Sequence, residues 1–548
     1  MVRGGDNEAS TTPGDSTRYD AIVIGAGFAG LYMLHLLRDR LGLSTLGLEA
    51  ADGVGGTWYW NRYPGARCDS ESHGYCFTFS GDLVRNWSWS ERYPGQSEIL
   101  AYLNHAADQL DLKRDFQFNT RVSKVAYDDK ANLWRIETEA GERFTAHYVI
   151  TAVGCLSTAN VPEIPGLETY QGRWYHTGAW PHDGVDFAGQ RVGQIGTGST
   201  GIQTAPVIAA AAKHLTVFQR TANYSVPARN GPLTGEFKTY VRDNYGEIRG
   251  MMHESPNGHP FLVLDRSVFD VTDRERQEIY EAAWQRGGLR FRAVFRDLLS
   301  DNAANATAAE FIKDKIRGIV KDPDKARILS DIDHPYAAKR PPIDTNYFET
   351  FNRSNVSLVD LRADPIEGIT PNGIRLRSGA EHTLDVLVFA TGFDALTGPL
   401  LRLGIYGRKG LALTEAWAEG PKTYLGLQMP GFPNLFTITG PGSPSVLTNM
   451  PTAIEQHVEW IADCIASLRR AGETTIEPTA EAAEGWRKEI DRAAAATLLP
   501  EASHSWYLGA NVPGKPRVFM PYPGGMKHYR KICNDIAQQD YRGFRRGN

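Results

Sequence analysis

"YDAIVIGAGFAGLYMLHLLRDR" runs from Tyr19 to Arg40 and decides how the rest of the chain is read. Ala21 to Ile24 is a short apolar run with the β-branched character of a buried strand. Gly25, Gly27 and Gly30 follow in GxGxxG spacing and open a helical pattern with Leu31, Leu34 and Leu37 on its inner face. Strand, glycine turn and helix in this order form the dinucleotide-binding fingerprint. The glycines permit a tight turn and close backbone approach, and the helix start, from Ala29 onward, presents free N–H groups to a pyrophosphate. The next strand, "LSTLGLEA", ends in Glu49, nineteen residues after Gly30. An acid there accepts hydrogen bonds from ribose hydroxyls.

The device recurs downstream. "QRVGQIGTGSTGIQTAPVIAAA" carries Gly196, Gly198 and Gly201, with Thr197, Ser199, Thr200 and Gln203 around them. Its following strand, "HLTVFQRT", ends in Arg220 and Thr221. A base in place of the acid suits a ribose 2′-phosphate. The first loop is thus expected to take FAD and the second NADPH. Lys339 is a second candidate cation, and a surface arginine at a strand end is the plain alternative for Arg220. Two further apolar strands, "YVITAVGC" (Tyr148–Cys155) and "LDVLVFATGFDA" (Leu384–Ala395), run into glycine turns and return the chain between the two units. The expected class is α/β with two Rossmann-like dinucleotide-binding domains. The FAD domain takes residues 18–154 and 390–548. The NADPH domain, 155–389, is inserted within it and carries a helical insertion at about 225–334.

Composition fits that plan. A chain of 548 residues exceeds what one core organises. The net charge of −5 offers no basic footprint for nucleic acid. The five cysteines show neither CxxC nor zinc spacing, which excludes a metal site and a disulfide framework and fits a reducing compartment. Residues 1–17 are polar, are expected to be a disordered tail, and lack the apolar core of a signal peptide. No apolar run is long enough to span a bilayer. The expectation is a cytoplasmic enzyme with no obligatory protein partner. After the first nucleotide helix only Cys68 is present where disulfide reductases need a cysteine pair, so dithiol chemistry is set aside.

One segment fits neither secondary-structure period. "YQGRWYHTGAWP", Tyr170–Pro181, has Gly172 near its start, Pro181 at its end and no clean alternation. It resembles the F-x-G-x-x-x-H-T-x-x-W-[PD] fingerprint of type I Baeyer–Villiger monooxygenases at Gly172, His176, Thr177, Trp180 and Pro181, with Tyr170 replacing the usual Phe. "GVGGTWYWNRYPGARCD", "AKRPP", "FATGFDALTG", "GPGSPSVLTNM" and "SWYLGANVPGKPRVFMPYPGG" resemble the same family, in the same order, from about residue 20 to about 540. The flavour is closest to the phenylacetone, steroid and cyclohexanone monooxygenases.

The resemblance implies insertion of one atom of O2 beside a ketone carbonyl, through a flavin C4a-peroxide, with sulfoxidation as a side activity. It implies Arg340 as the active-site cation and Asp69 as its orienting carboxylate. It places Thr57, Trp58, Tyr75, Val122 and Met450 around the flavin. Lys339 and Trp506 go to NADPH, and Val446 and Leu447 to the substrate pocket. Gly172, His176 and Trp180 become parts of an interdomain hinge. Two rivals stay open: a heteroatom-oxygenating flavin monooxygenase, and a non-oxygenating NADPH–flavin redox protein.

Overall fold

The protein is described by a computed structural model covering residues 16–548; most of the expected N-terminal tail lies outside the described residues. The chain starts a sheet with β1 (Thr17–Ile24), β2 (Thr45–Leu48), β3 (Phe116–Gln117), β4 (Val122–Asp128), β5 (Leu133–Thr138) and β6 (Arg143–Thr151). It then builds a second sheet from β7 (Arg173–His176), β8 (Arg191–Ile195), β9 (His214–Gln219), β10 (Val356–Asp360) and β11 (Val386–Phe389). Finally β12 (Ile405–Tyr406) and β13 (Leu435–Thr437) return to the first sheet. Its order is β12-β4-β5-β6-β1-β2-β3, with β13 also on β6. The second sheet runs β10-β9-β8-β11-β7 and is parallel throughout. Both sheets therefore contain a strand followed by a glycine loop and a helix.

β1 and β6 are buried on both faces at Ala21–Ile24 and Val149–Thr151, as parallel strands covered by helices must be. One cover is α1 (Phe28–His35), against which α2 (Met450–Ala471) packs. Ile454, Val458, Ile461 and Ile465 of α2 are all buried, as their helical spacing predicts. The second sheet is covered by α3 (Ser199–Ala211), which leads from its glycine loop.

Residues 229–334 fold largely as helices, among them Asp273–Arg286 and Asn302–Ile319. Thr272-x-x-Glu275 and Thr307-x-x-Glu310 both have the spacing of a capping box. The first forms one, with side chain and backbone satisfying each other; the second does not, because Thr307 lies inside the helix Asn302–Ile319, whose N-cap is Asp301, accepting from the Ala304 N–H. Thr307 instead donates to the Ala304 carbonyl one turn back. The Asp301 carboxylate caps an end that the Thr-x-x-Glu pattern put too late. Phe311, Ile312 and Ile316 are buried in the same core as the second sheet, and Ile319 packs against it.

The segment that fitted neither period is in part a strand. Arg173–His176 pairs in parallel with Val386–Phe389 at the sheet edge. Its register comes from the backbone of its neighbour and from a half-open edge position, so no apolar alternation is needed. A short 3₁₀ turn, Thr177–Ala179, follows.

Candidate functional site

Each glycine loop is shaped by contacts that exclude a side chain. Gly25 has φ +109°, and a Cβ on Gly30 would sit 1.8 Å from the Gly25 carbonyl oxygen. In the second loop Gly196 has φ +110°, and a Cβ on Gly201 would approach the Gly196 oxygen to 2.3 Å. Gly27 and Gly198 are the N-cap residues of α1 and α3, and neither helix has a side-chain cap. The first-turn N–H groups, including those of Ala29 in one helix and Ser199 and Thr200 in the other, are left for an anion. This chemistry fits two dinucleotide pyrophosphates.

At the end of β2 the Glu49 carboxylate accepts the N–H groups of Ala26 (2.7 Å) and Ala51 (2.8 Å). It is thereby pinned beside the first loop, and burial raises its pKa. Its backbone carbonyl accepts from Thr120, and Val122 follows as a buried residue at the start of β4. Thr57 is exposed at the start of a single helical turn. Trp58 donates from Nε1 to the Tyr75 hydroxyl at 3.2 Å, with the rings edge to face. Met450 opens α2, half-buried against the first core. Trp58, Tyr75 and Met450 belong to the same core as α1 and α2, and Val122 to the core on the other side of the sheet.

The second glycine loop has basic residues near it. Thr197 donates to the Thr221 carbonyl (2.9 Å), tying the second loop to the end of β9. Arg220 is exposed just beyond that strand. Lys339 is half-buried; its pKa is lowered by burial and by the Arg220 charge, while Asp333 acts the other way. Two cations from distant segments are thus near enough for one charge to act on the other. Gln203 accepts from the Tyr63 hydroxyl (2.8 Å) and donates to the Arg67 carbonyl (3.1 Å), locking α3 to the segment that leads into Asp69.

Arg340 joins three segments that are distant in sequence. Its Nε donates to one Asp69 carboxylate oxygen at 2.5 Å and its Nη2 to the other at 2.8 Å. Nη1 donates to the carbonyls of Val446 (2.8 Å) and Thr448 (3.3 Å). Burial opposes both charges, but the pair prevails: the Asp69 pKa lies below the usual carboxylate range and that of Arg340 is raised. Both side chains keep some exposure, 17% for Arg340 and 24% for Asp69. Val446 is buried and Leu447 half-buried in the turn that receives the guanidinium. Trp506 is half-buried and lies against Tyr507, ring centroids 4.6 Å apart. Tyr507 is itself buried, and Arg340 influences its hydroxyl.

The edge strand β7 and its turn carry the remaining expected residues. A Cβ on Gly172 would strike the Tyr170 ring at 2.4 Å and the Asp385 carbonyl at 2.7 Å. Tyr170 donates to the Leu384 carbonyl (3.0 Å), which gives the hydroxyl that Phe would lack a partner. His176 Nδ1 accepts from the Gly178 N–H (3.0 Å), and burial lowers its pKa, so it is a neutral ring with its proton on Nε2. Trp180 is buried between Tyr175 and Phe187. None of these residues contacts Arg340 or Asp69 by hydrogen bond or ion pair among the described residues.

The sequence reading missed Tyr63, Tyr507 and a charged cluster under the helical insertion. Arg290 is paired with Glu71 (2.8 Å), and Arg92 reaches the same carboxylate at 2.6 Å. "GGLRFRAVF", residues 287–295, shows arginines alternating with apolar residues within the expected helical insertion, the signal that could have found this cluster. The five cysteines are free and buried, and burial pushes the Cys68 thiol up, consistent with no dithiol chemistry.

The chain is similar to known proteins over nearly its whole length. Residues 22–244 match the pyridine nucleotide-disulphide oxidoreductase family. A Baeyer–Villiger monooxygenase of Pseudooceanicola batsensis is 46% identical over 525 residues, 95% of each chain. A phenazine N-monooxygenase of Lysobacter antibioticus is 43% identical over 532 residues, 97% of each chain. The structure of an oxidized steroid monooxygenase bound to NADP is 50% identical and matches with a TM-score of 0.92, covering 97% of this chain and 100% of that one.

Proposed function

The chain belongs to the Baeyer–Villiger monooxygenase family, and on that premise we propose that it converts hydrophobic ketones to esters or lactones with O2, NADPH and a resident FAD. Arg340, held by Asp69 beside the Val446 turn, is the observation that carries this reading.

The first loop, with Glu49, Thr57, Trp58, Tyr75, Val122 and Met450, would hold FAD. The second, Thr197 to Gln203 with Arg220, Thr221, Lys339 and Trp506, would hold NADPH. On this reading the FAD domain comprises 18–154 and 390–548, and the NADPH domain 155–389. When bound, the flavin accepts a hydride from NADPH and activates O2. The protein supplies the electrostatics. A guanidinium has five N–H donors, and four hydrogen bonds are recorded for Arg340, so a donor on Nη2 remains for the ketone oxygen. Negative charge grows on that oxygen as the carbonyl is attacked, and a fixed, permanently charged donor stabilises it with little reorganisation. Asp69 sets the guanidinium plane, and Val446 and Leu447 give the ketone an apolar wall. His176 and Trp180 act at a distance, joining the edge strand of the second sheet to its return loop as a hinge. Five reduced thiols support a cytoplasmic setting. Among the described residues no helix is long and apolar enough to cross a membrane.

The test is product analysis of the purified holoenzyme with NADPH, O2 and a panel of ketones. Ester formed in step with NADPH oxidation is expected. NADPH consumed to hydrogen peroxide with no ester from any ketone would overturn the reading. The similarity to an N-monooxygenase favours heteroatom oxygenation as a second reading. Oxidation of sulfides or heteroaromatic nitrogen without conversion of any ketone would select it.

A further inference from the structure

Arg292 is the one guanidinium of the central cluster with no ion pair among the described residues. It sits in a 3₁₀ turn, Gly288–Ala293, whose Leu289, Phe291 and Ala293 are buried. Its neighbour Arg290 is committed to Glu71, 2.8 Å away. The other carboxylate in reach, Asp69, is taken up on both oxygens by Arg340. The Nε of Arg292 is buried and has no hydrogen-bond partner, yet the residue as a whole keeps partial exposure. Arg290, two residues away in the same turn, is bonded to Glu71, two residues from the Asp69 that holds Arg340, so the turn lies beside that pair; Arg340 and Asp69 both act on Arg292 through their charges.

The charges around this turn do not cancel. Arg340 balances Asp69, while Arg92 and Arg290 together meet the single charge of Glu71. His259, close enough to feel Arg290, Arg292 and Arg340, is held neutral by burial and by those cations. Arginine does not lose its proton at working pH, so Arg292 is a desolvated cation without a counter-ion, an arrangement that costs stability unless an anion arrives. The cofactor phosphates have other partners: the uncapped starts of α1 and α3 for the pyrophosphates, and Arg220 with Lys339 for the 2′-phosphate.

Resting on the Baeyer–Villiger reading, we propose that Arg292 binds a carboxylate of the substrate, so that the preferred ketone is a keto acid whose carbonyl is presented to Arg340. Its apolar body would lie against Val446. Arginine grips a carboxylate through two parallel N–H bonds, which fixes orientation as well as affinity. Arg292 would then be a specificity-determining residue, distinct from Arg340 in acting on the far end of the substrate.

The experiment compares keto acids of graded chain length with their methyl esters on the holoenzyme and on Arg292→Met and Arg292→Lys. Calorimetric titration of the oxidised, NADP-loaded enzyme measures binding without turnover, and coupled assays give KM, kcat and the KM for NADPH. The expectation is that the wild type prefers an acid over its ester. Arg292→Met should raise KM and Kd for the acid about tenfold or more with kcat and the ester little changed, and Arg292→Lys should recover part of the preference. Equal handling of acids and esters by the wild type overturns the proposal. So does a variant defect confined to the KM for NADPH, which would give the anion to the cofactor. Arg292-dependent binding of a keto acid with no ester from any ketone would keep the anion site and sink the oxygenation reading instead. Conversion of neutral ketones with no acid preference does the reverse.

Discussion

Arg340 and Asp69 are 271 positions apart in the chain and joined by two hydrogen bonds, at 2.5 and 2.8 Å, that use both oxygens of the carboxylate. Replacing Asp69 by Ala leaves a guanidinium held only by backbone carbonyls. Ester formation should fall about 100-fold or more, while NADPH oxidation continues and releases hydrogen peroxide. Arg340→Lys should not restore coupling, because an ammonium cannot grip a carboxylate on two parallel bonds. Equal ester yields per NADPH in wild type and Asp69→Ala would refute the role.

The Arg220 charge, just beyond the end of β9, lowers the pKa of Lys339. Lys339→Ala and Arg220→Ala should each raise the KM for NADPH by about 10- to 100-fold and leave that for NADH nearly unchanged. An equal loss with both nucleotides would show that the cations act on something other than the 2′-phosphate.

The glycines divide into two kinds. A Cβ on Gly30 meets a backbone oxygen at 1.8 Å, whereas one on Gly198 meets nothing within 4 Å. Gly30→Ala should therefore give little folded, FAD-loaded protein. Gly198→Ala should keep its melting temperature and flavin content but bind NADPH more weakly, since its methyl enters the approach to the helix start. Thermal melting and flavin absorbance of the two variants distinguish these outcomes.

Stability should depend on pH through two buried acids. Glu455 is raised from 4.5 to about 7, and Asp344 from 3.8 to about 6, chiefly by burial. The folded state thus holds protons that the unfolded chain has released. Their stabilising effect is full below about pH 4 and is lost as pH rises through 6 to 7. For Glu455 the loss is on the order of 3 kcal/mol. Its carboxylate accepts from the Thr78 N–H and hydroxyl and from the Phe79 N–H, and Gln can keep that pattern because the Thr78 hydroxyl can turn to accept. Glu455→Gln should raise the melting temperature at pH 8 relative to wild type and change little at pH 5. Parallel pH profiles for the two proteins would contradict this.

Tyr170→Phe tests the departure from the family fingerprint. The hydroxyl donates to the Leu384 carbonyl at 3.0 Å, far from Arg340 in function. Its loss should cost about 1 kcal/mol of stability and leave the product unchanged. A change in coupling would mean that this edge reaches the chemistry.

Local chemistry determined much of this protein from sequence alone. Glycine spacing, a terminal acid or base, and apolar strands specify both nucleotide units, because a tight turn against a phosphate admits few residues. The amphipathic stripe of Ile454, Val458, Ile461 and Ile465 announced a core helix for the same local reason. The pairing of Arg340 with Asp69 was reached by resemblance, since no spacing in the chain encodes it. What only the tertiary structure decided depends on partners far away in sequence. Arg173–His176 is a strand because β11 offers it an edge, and Thr307 is not a cap because Asp301 reaches the helix start first. Arg292 lacks a counter-ion because Glu71 and Asp69 are already occupied by other arginines. Charge balance inside a cavity belongs to whichever side chains the fold gathers there, and a linear sequence does not state which those are.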